Sequence, residues 1–223
     1  MKVLSLVSQK GGVGKTTLAT ALAVAGYQDG KQVVLVDLDP QASASFWMDT
    51  RKDDALAVTS APASRLQHVL GAAKDAGADL AIVDTPPFAK DIAFEAAERA
   101  DFVLIPTRPA VLDVMAMTRT IELIRNFQRP AAVVLTFCPP TGKEIEDTEG
   151  AIRALGVELC PVRIGTRIAY SRAQQSGQAA QEFDPQGKAA AEVIELYQYT
   201  LRHLYQETAH EQRKTAKRHA SRA

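Results

Sequence analysis

The sequence predicts an α/β protein with a central, mostly parallel sheet and helices on both of its faces. Two patterns carry that expectation. Short aliphatic and β-branched runs recur along the chain and alternate with segments of helical spacing. The runs are apolar at consecutive positions, as in strands covered on both sides. A third observation agrees: the glycines, lysines and aspartates with chemical character follow the carboxyl ends of these runs, where such sheets bind ligands. The 223 residues suit one domain with a substantial core.

Lys2 to Ser8 is short, apolar and followed by glycines, and reads as the first strand. Thr16 to Tyr27 has alanines and leucines at helical spacing, with Gly30 as the stop signal. "QVVLVD" (Gln32 to Asp37), "LAIVD" (Leu80 to Asp84), "FVLIP" (Phe102 to Pro106) and "AVVLTF" (Ala132 to Phe137) are four further buried strands. Val157 to Val162 reads as a short last one. Helix-like segments lie near Arg65–Ala76, Asp91–Arg99, Asp113–Phe127 and Lys143–Leu155. In the final helix Ala190, Val193, Ile194, Tyr197, Leu201 and Leu204 follow three-four spacing and are expected to pack on the sheet. The folded domain is placed at residues 1–206 and a flexible basic tail at 207–223.

The totals exclude several classes. Apolar content of 46% and charged content of 23% are those of an ordinary soluble globular chain. No apolar run approaches the ~18 residues of a membrane span. "MKVLSLVSQK" is too short for a secretory signal, so a cytoplasmic location is expected. Cys138 and Cys160 form neither a disulfide framework nor a metal spacing, and read as buried free thiols. Net charge is zero but uneven. Residues 202–223 hold six arginines and lysines against Glu207 and Glu211, a net of +4, which leaves −4 on the rest. A basic end on an acidic body suits polyanion contact or plain solvation.

The loop "QKGGVGKTT", Gln9 to Thr17, joins the first strand to the first helix. A phosphate-binding loop commonly has glycine five residues before its Gly-Lys-Ser/Thr. Here Gln9 stands there, with an additional lysine, Lys10, beside it. Gly11, Gly12 and Gly14 allow the backbone, Val13 included, to approach a phosphate with its N–H groups turned inward. The helix N-terminus adds partial positive charge. Lys15 is placed to reach the β- and γ-phosphates of ATP, Thr16 to ligate Mg²⁺, and Thr17 to reach a phosphate from the next position. "VDLDPQ" ends the second strand with Asp37 and Asp39 on one side of an extended chain, suited to holding metal-bound water or orienting a nucleophilic water. Asp84, in "VDTPP", follows an apolar run as a magnesium-site carboxylate does.

"KGGVGKTT", "VDLDPQ" and "VDTPP" resemble the motifs of the ParA/MinD superfamily of deviant Walker A ATPases, which are P-loop NTPases. "PTRPAVLDV", Pro106 to Val114, resembles that family's proline-flanked loop after the fourth strand. Arg167 to Glu192 resembles the ParA pattern of a helix, then Gly, Glu, Pro and a closing helix. The match covers about Met1 to Leu201. The family often has Asn where this chain has Thr136, near the adenine pocket. Its longer members carry a DNA-reading helix-turn-helix ahead of the loop. Here the loop starts at residue 10, so sequence-specific operator binding is not expected.

The resemblance implies a mechanism. Two subunits sandwich two ATP molecules, and Lys10 acts in trans on the partner's phosphates. Lys10, Lys15 and Asp39 are then the catalytic set, with Asp39 positioning the attacking water. Thr16, Asp37 and Asp84 support Mg²⁺, and Pro106 and Thr136 contact the nucleotide. Hydrolysis is slow and raised by a small ParB-like or adaptor partner. The ATP-bound homodimer binds DNA non-specifically and is nucleoid-associated, with Arg163, Arg167 and Arg172 as contact candidates. The function implied is plasmid or chromosome segregation. Alternatives are positioning of a protein assembly, such as carboxysomes or chemoreceptor clusters, and a MinD-like membrane-surface switch. After Glu207 only alanines are nonpolar, which disfavours membrane insertion. Tyr197, Tyr199 and Tyr205 lie at helical positions, unlike the mobile tyrosine cluster of a bacterial autokinase. The two cysteines precede prolines, unlike those of the nitrogenase iron protein.

Overall fold

The computed structural model describes residues 1–51, 53–54 and 56–220, with residues 206–220 described by backbone alone. Seven strands form one sheet: β1 (Lys2–Leu6), β2 (Val33–Asp37), β3 (Ala57–Ser60), β4 (Leu80–Asp84), β5 (Phe102–Thr107), β6 (Ala131–Cys138) and β7 (Glu158–Gly165). Their order is β3-β2-β4-β1-β5-β6-β7. Every neighbouring pair is parallel, so the sheet is more uniform than the mostly parallel one expected.

The chain starts in the middle of this sheet. From β1 it moves outward to β2 and β3 and returns to β4. It then crosses to the other side of β1 for β5, β6 and β7. The carboxyl end of β1 is therefore a topological switch point, where connections leave in opposite directions and a crevice opens.

Helices α1 (Lys15–Gln28), α2 (Ser43–Arg51), α7 (Ile168–Gln175), α8 (Ala180–Phe183) and α9 (Lys188–Ala220) cover one face. Helices α3 (Leu66–Asp75), α4 (Lys90–Arg99), α5 (Val111–Arg125) and α6 (Lys143–Ala154) cover the other. Each of the five inner strands feeds both cores through its two-residue period. Leu4 and Leu6 of β1 join Leu18 and Leu22 of α1 on the first face. Val3, from the same strand, packs with Ala96 and Ile121 on the second.

Two elements were not foreseen. Strand β3 has four residues at the sheet edge, none of them buried, so it lacks the apolar run of the inner strands. Helix α2 buries only Ala44 and Trp47, too few to make a helical apolar stripe in the sequence. β7 runs on to Gly165, past the expected end at Val162, because β6 continues beside it. In α9, Ala190, Val193, Tyr197 and Leu204 are buried as expected, while Ile194 points outward. The two cysteines are free and buried, and burial pushes their thiols up, to about 11 for Cys138 and about 12 for Cys160. The expected flexible basic tail, 207–223, lies outside the residues whose side chains are described.

Candidate nucleotide-binding site

The loop that leaves β1 is shaped by its glycines. Gly12 (φ 69°) and Gly14 (φ 88°) are left-handed, a conformation that costs a side-chain-bearing residue energy. Gly14 is also the N-cap of α1. No side chain caps this helix, and its first turn holds no acidic residue. Its leading N–H groups are thus left for an anion, where the helix dipole favours one. The Thr136 hydroxyl, at the end of β6, donates to the Val13 carbonyl at 3.0 Å. Val13's own side chain is buried in the fold, so its part in binding is played by its backbone.

Lys15 is nearly buried and its ammonium donates to the Lys10 carbonyl at 3.0 Å. Loss of hydration lowers its pKa, and the negative charges of Asp84 and Asp39 oppose that shift. A phosphate would supply the anionic partner this cation lacks.

Asp84, at the end of β4, is fully buried. Thr16 Oγ1 donates to its Oδ2 at 2.6 Å, while its Oδ1 has no partner. Burial pushes this carboxyl up to about 7, helped by the like charge of Asp37 and opposed by the Thr16 bond and Lys15. A hydroxyl beside an unsatisfied carboxylate oxygen fits a hard cation such as Mg²⁺. Among the described residues no three His, Cys, Asp or Glu side chains cluster around a metal position. The fit is therefore to an ion that keeps water and phosphate oxygens as its other ligands, as Mg²⁺ does.

The two aspartates after β2 divide the work. Asp39 faces the phosphate cleft, and its Oδ1 accepts the Gln41 N–H at 2.9 Å. Asp37 was expected near the metal's water shell, and its oxygens are also engaged with backbone. Asp37 is buried, and its oxygens accept the N–H groups of Asp39 and Ala44, both at 2.9 Å. It ties the end of β2 to the start of α2 and so holds Asp39 in place. Lys10 lies at the lip of the loop, and its ammonium has no hydrogen bond or ion pair among the described residues.

Two clefts meet at this loop. One, of about 250 Å³, is walled by the glycines, Lys15, Thr16, Asp39, Thr85 and Pro87. The other, of about 340 Å³, runs from Thr136 and Phe137 to the β7–α7 connection and is largely apolar. Gly14 and Thr17 belong to both. A phosphate cleft continuous with an apolar one has the shape of a nucleotide. Pro106 is not in either wall. β5 extends through Thr107, so this proline is a buried strand residue registered with Val134 rather than part of the loop that follows.

The arginine candidates separate. Arg163 projects from β7 and is paired with Glu149. Arg167 is paired with Glu192 at 2.5 Å and lines the apolar cleft. A phosphate would have to compete with Glu192 for Arg167, whereas Arg163 is half exposed and shares Glu149 with Arg153. Arg172, near the end of α7, is exposed and has no partner among the described residues.

Some site features had no usable signal in the sequence. Arg108 lies across the loop, with a short hydrogen bond to the Gly12 carbonyl. Phe88, Val111, Leu112 and Met115 are each more than half exposed, on the segments after β4 and β5. An exposed aromatic after the double proline of "DTPPF" was the only hint of this rim.

A loop of this geometry at the switch point of a parallel sheet defines a P-loop nucleotide-binding protein. The chain belongs to the CobQ/CobB/MinD/ParA nucleotide binding domain family, whose model matches residues 4–180. At the level of the family, its ParA/MinD branch consists of ATPases. The chain is 32% identical over 202 residues to Maintenance of carboxysome distribution protein A of Halothiobacillus neapolitanus, covering 86% of this chain and 92% of that one. It is 29% identical over 187 residues to Protein ParA of Rhizobium radiobacter, covering 79% and 84%. Its fold matches the septum site-determining protein MinD complexed with Mg-ADP from Pyrococcus horikoshii, with a TM-score of 0.74 at 20% identity, covering 89% of this chain and 95% of that one.

Proposed function

We propose that this chain is an ATP-hydrolysing switch that dimerises in its ATP state and uses that state to distribute a cargo over DNA. The observation that carries the reading is Lys10: a second lysine in the loop, next to Gly11 of the phosphate cleft, whose ammonium has no hydrogen bond or ion pair among the described residues. Lys15 serves the chain's own phosphates, which leaves Lys10 free to act on a nucleotide held by a second copy. Two triphosphates brought face to face repel, and a cation from each side offsets that repulsion and stabilises charge on the transferring phosphoryl group. The exposed rim of Phe88, Val111, Leu112 and Met115 supplies apolar surface on the same edge for such a contact.

Thr16 and Asp84 would hold magnesium, which when bound neutralises charge on the phosphates. Asp39 orients the attacking water, and Asp37 positions Asp39. A small adaptor protein raises the hydrolysis rate and so times release. The dimer binds DNA through phosphate contacts without reading sequence and is nucleoid-associated in the cytoplasm. The cargo is a plasmid or chromosome, in keeping with the ParA relative. A protein assembly such as the carboxysome is the second reading, and the relative named for carboxysome distribution favours it. A membrane-surface switch is not supported by α9: Val193, Leu196 and Tyr197 are spent on the core, and no described helix is long and apolar enough to cross a membrane.

Light scattering with and without Mg-ATP tests the switch. Asp39→Ala is expected to accumulate as an ATP-bound dimer. Lys10→Ala is expected to bind ATP yet remain monomeric. A Lys10→Ala protein that dimerises like the wild type would remove the basis of the reading.

A further inference from the structure

We infer that Arg108 is a positioning residue for the nucleotide's phosphates: it orients the Gly12–Val13 peptide so that the Val13 N–H faces the phosphate cleft. The inference rests on the nucleotide-site reading above and extends it to a side chain outside the loop's own motif.

Arg108 follows β5, and its guanidinium donates to the Gly12 carbonyl. In a trans peptide the carbonyl and the next residue's N–H point in opposite directions. Arg108 is not among the walls of the phosphate cleft, so a carbonyl drawn toward it turns the Val13 N–H the opposite way, toward the side on which the flanking Gly12 and Gly14 wall that cleft. Gly12 is left-handed, and a Cβ there would stand 3.1 Å from the guanidinium. Glycine at this position thus admits both the backbone turn and the arginine.

The guanidinium is held from its other side as well. Its carbon lies 4.3 Å from the centre of the Phe137 ring, a cation–π contact. Phe137 is itself left-handed (φ 53°) and lines the apolar cleft. Arg108 therefore bridges the phosphate cup and the mouth of the base pocket. Its Nε is buried without a hydrogen bond, a local cost that the fold tolerates here. A planar guanidinium stacks on the ring while its edge donates to the carbonyl; a lysine ammonium at this position would keep the donor to the carbonyl with a looser ring contact.

The test is equilibrium binding of ADP and AMP to wild type, Arg108→Ala, Arg108→Lys and Phe137→Leu. Loop N–H groups act on the β-phosphate, which AMP lacks. Arg108→Ala is expected to weaken ADP about tenfold and AMP by less than twofold. Arg108→Lys, which keeps a donor, is expected to stay within about threefold of wild type for ADP. Phe137→Leu, which removes the ring beneath the guanidinium as well as altering the base pocket, is expected to weaken both nucleotides, ADP more than AMP. Equal weakening of ADP and AMP by Arg108→Ala, or ADP affinity unchanged by it, would overturn the inference while leaving the nucleotide site standing. A Lys variant as weak as the Ala variant would overturn it too. Absence of ADP binding by the wild type would overturn the site reading and the inference together.

Discussion

Asp84 shows what one residue gives up for function. Burial raises its carboxyl from an ordinary 3.8 to about 7. The folded state therefore holds a proton more tightly than the unfolded chain between those values, so this group's contribution to stability falls as pH rises through that window. At about 1.4 kcal/mol per unit, the penalty above pH 7 is on the order of a few kcal/mol. Asp84→Asn removes the titration. In urea denaturation of the nucleotide-free protein, the variant is expected to gain about 1–3 kcal/mol at pH 8 and little at pH 4. It is also expected to lose magnesium-dependent ATP binding. A variant no more stable than wild type at pH 8 would show that the buried charge is relieved by other means. The candidate site was legible in the sequence at this residue and at Asp39, because they end or closely follow apolar strands, and at Lys15 and Thr16, because they follow a glycine loop and open a helix. Asp37 has the strand-end signature too, and the start of the next helix commits its oxygens to backbone N–H groups.

Helix α2 is one of the elements the sequence concealed, and it joins the end of β2 to the segment around α8. Asp37 holds its start at the Ala44 N–H. At its other end Arg51 donates to Glu182 at 2.6 and 2.7 Å and to the Gly177 carbonyl, and Trp47 Nε1 donates to the Gln178 carbonyl at 3.1 Å. Gly177 is left-handed (φ 67°), and a Cβ there would collide with the backbone of Arg51. The Gly-then-Glu pattern that resembles the ParA branch thus has a physical reason: the glycine lets α2 approach, and the glutamate clamps it. Arg51 is nearly buried, so Arg51→Ala is expected to destabilise the protein by about 2–3 kcal/mol in a urea melt. A loss below about 0.5 kcal/mol, the scale of an exposed pair, would show that the clamp is not a structural tie. Neither partner could be assigned from the sequence, since 131 positions separate them.

At the scale of the molecule, the pairing of Arg163 and Arg167 with carboxylates bears on DNA contact. If the ATP state binds DNA through phosphates, retention is expected to fall about tenfold or more between 50 and 200 mM salt. Arg172→Ala is expected to reduce that salt slope, and Arg167→Ala to change it less, because Arg167 is already paired with Glu192. Filter binding across a salt series with the Asp39→Ala protein measures both. Tight binding without ATP would count against a switch.

Sequence alone determined the α/β class, the five inner strands nearly to their ends, and a glycine loop that carries two lysines. Those features are local: apolar runs, glycines and adjacent charges declare themselves within a few residues. The tertiary structure decided the rest. It set the strand order that places β1 at the switch point, placed Pro106 inside β5 beside β6, and brought Arg108 across Gly12 from 96 positions away. Each of these depends on chain segments that meet only when the sheet is assembled, and no local spacing encodes such a meeting.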